Sequence, residues 1–183
     1  MEVSPIWLRE IITFAVNTGL RQAEILNLEW PQVDLFRKTL ILQVQKNGSK
    51  DTLPLNDGAM EILKARAKVR HIRSSNVFYN GNGNRINARD LLRAFYSAIK
   101  KAKIAKLRFH DLRHTWTTRL IQAGADLHTV QKLGGWKTIS MVMRYAHHHP
   151  ESLRPGIEIL DRVRREFSTK LAHGKDEGAR QDA

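Results

Sequence analysis

Residues 39–55 read TLILQVQKNGSKDTLPL. Two runs rich in β-branched and aliphatic residues, 39–45 and 51–55, flank Asn47-Gly48. Asn-Gly tolerates the positive φ values that a tight antiparallel turn demands, so the stretch predicts a β-hairpin. Outside it, apolar residues recur mostly at three- and four-residue steps. The predicted fold is therefore mainly α with a small antiparallel β-sheet, an α+β domain.

Upstream, Pro5 suits a first helical turn, and Ile6, Leu8, Ile11, Ile12, Ala15 and Val16 give residues 5–17 an apolar face. Thr18-Gly19 breaks that helix. A second follows over 21–29 and ends at Trp30-Pro31, because the residue before proline resists helical backbone angles. Downstream, 57–72 reads as a basic amphipathic helix with Ile62, Leu63 and Val69 opposite Lys64, Arg66, Lys68 and Arg70. NVFYNGNGNRIN (76–87) reads as a short strand and a Gly/Asn loop. Helical patterns resume over 87–102, 110–123, 127–133 and 138–145. A last one spans 150–168, with Leu153, Ile157, Leu160, Val163 and Phe167 in a stripe. No repeat or linker divides the sequence, so one domain is expected over 1–168. The tail 169–183 is too poor in apolar residues to pack and reads as disordered.

The chain has 31 Lys and Arg against 18 Asp and Glu, a net charge of +13. Residues 161–183 hold six basic and five acidic groups, so the excess belongs to the expected folded body. Within it, residues 89–119 carry nine basic side chains and two acidic ones. Such a field suits a polyanion, with nucleic acid first and an anionic membrane surface second. Without cysteine, neither disulfides nor thiolate chemistry can operate. The first residues show no uncharged apolar run of signal-peptide or membrane-span type, and the expected location is cytoplasmic.

Four stretches could carry chemistry. In FHDLRHTWTTRL (109–120), His110 and Arg113 fall on one helix face a turn apart, and a guanidinium fork beside a titratable ring suits a phosphate. Alone, such a pair is far better explained by an exposed basic helix start. Arg21 follows Thr18-Gly19-Leu20 at a helix start, where free N–H groups favour an anion, and Glu24 can orient it or a histidine. Lys46 borders the hairpin turn, where its flexible stem could bring a proton donor over a site, with Lys50 as its rival. In MVMRYAHHHPE (141–151), Tyr145 ends a short amphipathic segment.

Together, NTGLRQAEILNLEW, QKNGSKDTLPL, FHDLRHTWTTRLIQAGADLHTVQKLGGW and MVMRYAH resemble, in order and spacing, the catalytic domain of the tyrosine recombinase (phage integrase) family, over about residues 5–168. The resemblance implies that Arg21 and Arg113 clamp a phosphate, that Lys46 is the hairpin lysine, that His110 is the histidine of the His-x-x-Arg motif and that Tyr145 is the nucleophile. Trp136 stands nine residues before Tyr145, where most relatives carry histidine and some tryptophan. An indole N–H donates a hydrogen bond but exchanges no proton at neutral pH, which leaves proton transfer to Lys46 and His110. The competing reading of Trp136, the less favoured of the two, is a core residue after the Gly-Gly turn.

The implied activity is cleavage and rejoining of double-stranded DNA through a covalent 3′-phosphotyrosine, with no cofactor, metal or ATP. His110 is the expected acceptor of the Tyr145 proton and Lys46 the expected donor to the departing 5′-oxygen. The resemblance also implies a homo-oligomer on DNA, a tetramer, formed through 150–168, unless that stripe closes its own core. Relatives usually carry a further N-terminal DNA-binding domain. Two other readings compete: a non-catalytic DNA-binding module, and a metal hydrolase using His110, His114 and a histidine of 147–149.

Overall fold

The computed structural model describes residues 4–42, 51–72, 74–145 and 156–165. The chain divides into two compact units, Met1–Tyr145 and Ala146–Ala183. In the second, residues 156–165 are helical. Leu153 and Phe167, from the expected stripe, and the tail from 169 lie outside the described residues.

The first unit is built around α1 (Ile6–Thr18), which buries Leu8, Ile11, Phe14 and Ala15 on one stripe. It packs against both α3 (Asp57–Lys68) and α5 (Asp111–Gln122). Phe14 is fully buried with its ring 5.3 Å from that of Phe78, a burial worth about 1.5–3 kcal/mol for a side chain of this size. Ile6, expected on the apolar face, is 68% exposed instead. The helix stops where Gly19 takes φ 65°, and the Gly19 N–H closes on the Ala15 carbonyl at 2.9 Å.

After that corner comes α2 (Gln22–Leu26), shorter than the 21–29 segment predicted. Tertiary pairing cuts it short. The Val77 N–H donates to the Leu28 carbonyl and the Trp30 N–H to the Ser75 carbonyl, so Glu29 lies opposite Asn76 in an antiparallel bridge. A 3₁₀ turn, Trp30–Gln32, leads into β1 (Val33–Asp34), a strand too short to signal itself in sequence.

β1, β2 (Thr39–Leu42) and β3 (Asp51–Pro54) form an antiparallel sheet in that order. Leu40 pairs with Leu53 and Leu42 with Asp51, so both central leucines point into the core. This is the small sheet expected. Asn47-Gly48, Lys46 and Lys50 lie outside the described residues.

Asn56 caps α3 by accepting from the Ala59 N–H, Asn87 caps α4 (Ala88–Lys101) through Arg89, and Asp126 caps α6 (Leu127–Gly134) through Thr129. The last helix of this unit is α7 (Ser140–Met143). Arg66, expected on the solvated face of α3, is buried. Its Nε donates to the Val77 carbonyl at 3.0 Å and its guanidinium lies 4.3 Å above the Tyr79 ring. Among the described residues no helix is long and apolar enough to cross a membrane.

Candidate active site

Two glycine corners face each other in the first unit, one closing α1 and one closing α6. Gly135 takes φ 59° there and ends α6. Arg113, one turn into α5 and only 4% exposed, pins the two corners together. Its Nη1 donates to the Gly19 carbonyl and its Nη2 to the Gly134 carbonyl. Burial, and then the nearby Arg21 cation, lower its pKa from the ordinary arginine value to about 10, so it remains charged at neutral pH. Of its five N–H groups, three are left for another acceptor.

Arg21 meets the same segment from the α2 side. Its Nη2 donates to the Gly135 carbonyl at 3.2 Å, while Nη1 pairs with the Glu24 carboxylate at 2.7 Å. The other Glu24 oxygen accepts from the Arg21 backbone N–H at 2.6 Å, so one carboxylate both caps α2 and aims the guanidinium. Of the two partners considered for Glu24, Arg21 or a histidine, it bonds Arg21.

The two arginines line a cleft of about 650 Å³ together with Glu24, Trp136, Lys132 and Lys137. Leu42, at the end of the described part of β2, also borders it. Two of these lysines were not singled out from sequence, where each is one basic residue among many.

Trp136 is half-buried. The Arg113 guanidinium lies 4.2 Å above its ring, and the ring stacks on Trp116 at 6.3 Å with 23° between planes. The indole is therefore a platform under one arginine as well as a wall of the cleft. Its ring also lies 6.4 Å from that of Tyr145.

Tyr145 follows α7, half-buried, and its hydroxyl shares a hydrogen bond with His114 Nδ1. His110 stands one helical turn before His114, with ring centroids 4.7 Å apart at 88°. His110 was the expected proton acceptor for Tyr145, yet the ring on the hydroxyl is His114. The physical reason is helical phase: four residues on from His110, His114 keeps the same face but sits a turn nearer Tyr145. Burial lowers the pKa of both imidazoles below the ordinary histidine value, with the cations around them adding to the effect. The i, i+4 spacing of His110 and His114 is legible in sequence, where it matches a metal-ligand pattern and gives no sign of Tyr145.

Arg21, Arg113 and Trp136 thus meet in one cleft, while His110, His114 and Tyr145 form a cluster that touches it through Trp136. Lys46 lies outside the described residues. So do the histidines of 147–149, and among the described residues no group of three His, Asp or Glu is arranged to hold a metal ion.

A sequence model described as the phage integrase family matches residues 1–152. The integrase of Salmonella phage P22 is 34% identical over 179 residues, covering 92% of this chain and 46% of that protein. A tyrosine recombinase XerC of Corynebacterium glutamicum is 32% identical, covering 75% of this chain and 45% of the relative. The chain spans about half the length of the curated relatives it matches. Among solved structures, the Tn1549 transposon integrase in complex with circular intermediate DNA superposes with a TM-score of 0.70 at 24% identity, over 81% of this chain and 56% of that one. The XerA recombinase gives 0.65 at 21% identity, over 87% and 66%. These structural likenesses are likenesses of fold.

Proposed function

Because the chain belongs to the phage integrase family, we propose that it is the catalytic part of an enzyme that breaks and rejoins double-stranded DNA through a 3′-phosphotyrosine. The observation that carries this reading is the convergence of Arg21 and Arg113 on the adjacent carbonyls of Gly134 and Gly135, in a cleft walled by Trp136, whose ring lies 6.4 Å from that of Tyr145. A phosphodiester is anionic, and its pentacoordinate transition state puts more charge on the non-bridging oxygens. Two guanidiniums held by backbone carbonyls and a carboxylate would stabilise that state without reorganising at the moment of reaction.

In this reading Tyr145 attacks phosphorus, and Arg21, Arg113 and Trp136 hold the non-bridging oxygens. Lys46 protonates the departing 5′-oxygen, and Glu24 keeps Arg21 aimed. The phosphotyrosine ester retains the energy of the broken bond, so a strand hydroxyl can reverse the step without ATP. The names of the relatives, integrase and tyrosine recombinase, support recombination as the outcome. The proposed partners are duplex DNA and further copies of the chain, a tetramer on DNA held through 150–168.

The test is incubation with a pool of nicked duplexes randomised around the break, where loss of the short product strand traps any covalent complex. A denaturant-resistant adduct whose peptide maps to Tyr145, absent in Tyr145→Phe, is the expected result. An undiminished adduct in Tyr145→Phe would exclude Tyr145. DNA binding with no adduct from the unmodified chain would favour a pure binding module.

A further inference from the structure

We propose that His114, and not His110, is the base that takes the proton from Tyr145. The inference rests on reading Tyr145 as the nucleophile. The contact that carries it is the hydrogen bond between the Tyr145 hydroxyl and His114 Nδ1. A phenol loses its proton at about pH 10 in water, so attack near neutrality needs an acceptor already in contact with the oxygen. Among the described residues, the base hydrogen-bonded to that oxygen is His114.

Its surroundings keep the ring able to accept. It is partly buried on α5, which favours the neutral imidazole. Around it stand Arg108 and Arg113, His110 with its ring edge-on, and Arg144 beside Tyr145. The three arginines oppose a resting positive charge on the ring, whereas Asp111 favours one. Asp111 is itself committed to Arg108, whose Nη2 reaches it at 2.9 Å and whose backbone N–H donates to it at 2.8 Å. A neutral ring with its proton on Nε2 presents a lone pair at Nδ1, and the tyrosine O–H donates to it.

The step balances. The phenolic proton moves to Nδ1 and leaves an imidazolium, the tyrosine oxygen forms its bond to phosphorus, and the bond from phosphorus to the 5′-oxygen breaks. The electron pair of that bond takes a proton from the donor assigned to Lys46. In rejoining, the imidazolium returns its proton to the tyrosine oxygen as the ester opens.

Two measurements on the full chain test this. Long-range proton–nitrogen correlation spectra near neutral pH should show His114 protonated on Nε2, with an acceptor-type Nδ1 signal that moves in Tyr145→Phe. A proton resident on Nδ1, or a signal indifferent to Tyr145→Phe, overturns the proposal even if no substitution at 114 is tolerated. In the nicked-duplex assay, His114→Asn can keep a hydrogen bond to the phenol but accepts no proton. Its adduct should form about 10²–10⁴-fold more slowly with DNA affinity unchanged. A His114→Asn rate equal to wild type, with Tyr145→Phe inactive, overturns the role of His114 and leaves the nucleophile standing. An adduct that survives Tyr145→Phe instead removes the nucleophile reading itself.

Discussion

The backbone of Gly134 runs so close to Trp136 that a β-carbon at position 134 would collide with Cζ3 and Cε3 of the indole. The same glycine offers its carbonyl to Arg113, and Arg113 lies over that ring. One small residue thus sets the distance between the arginine and its platform. Gly134→Ala should push the indole aside and destabilise the fold by about 1–3 kcal/mol, the usual range for overpacking. It should also slow formation of the DNA adduct. Gly81, with open space where its β-carbon would go, is the control. Urea denaturation of the two alanine variants measures the contrast, and equal midpoints would contradict the packing argument.

Arg113 should not tolerate lysine. Its planar fork serves carbonyls on two separate corners, Gly19 and Gly134, and one ammonium on a flexible stem cannot reproduce that spacing. A buried hydrogen bond from a charged donor contributes about 1.5–3 kcal/mol, so Arg113→Lys should lose on the order of one such bond. Both the melting temperature and adduct formation should drop. Full stability in Arg113→Lys would mean that the two corners hold each other without it.

Glu24→Gln should separate stability from activity. The Arg21–Glu24 pair is about half-exposed on the arginine side, where ion pairs contribute about 0–1 kcal/mol. Glutamine can still accept from the Arg21 N–H, so the cap on α2 persists and melting should hardly change. The guanidinium, however, loses the charge that aims it toward Gly135 and the cleft. Adduct formation should therefore slow while the fold stays intact, and a parallel loss of both would assign Glu24 to stability instead.

The α+β character was legible because a hairpin signature and helical periodicities occur in separate stretches, and local chemistry dictates each. β1 was not legible, since two residues carry no period and Val33–Asp34 is a strand only by pairing with Leu40 and Thr39. Arg66 misled for a related reason: sequence shows a charge on a helix, but the Val77 carbonyl and Tyr79 ring that bury it arrive from 11 and 13 residues away. Within the candidate site, Arg21, Glu24, Arg113 and Trp136 followed from motifs. The meeting of His114 with Tyr145 spans 31 residues and depends on how α5 and α7 are set, which no local pattern encodes.

DNA binding should depend steeply on salt. The net charge of +13 and a cleft holding Arg21, Arg113, Lys132 and Lys137 favour phosphate contacts, which release counterions. If about 6–10 phosphates are neutralised, affinity for a random duplex should fall roughly 10³–10⁵-fold between about 50 and 200 mM salt. Fluorescence anisotropy of a labelled duplex across that range measures it. Lys132→Gln with Lys137→Gln should flatten the slope, and a salt-indifferent affinity would contradict an electrostatic cleft.

Stability should decline as pH falls from neutrality, because of His110 and His114. Burial lowers both pKa values in the folded protein, while in the unfolded chain they return to about 6.5. As pH drops through that value, the unfolded chain takes up protons that the folded rings still refuse, so the unfolding free energy decreases. The contribution is complete above the unfolded value and is lost toward the lower folded ones. Carboxylates act later: Asp57, Asp111 and Asp126 have pKa values held down by Lys38, Arg108 and Thr129 respectively, and their stabilisation fades only below about pH 4. The histidine loss therefore begins at a higher pH than the carboxylate loss. Urea midpoints between about pH 7.5 and 5 should fall in the wild type and fall less steeply in His110→Asn combined with His114→Asn. An unchanged slope in that double variant would place the titration on other groups.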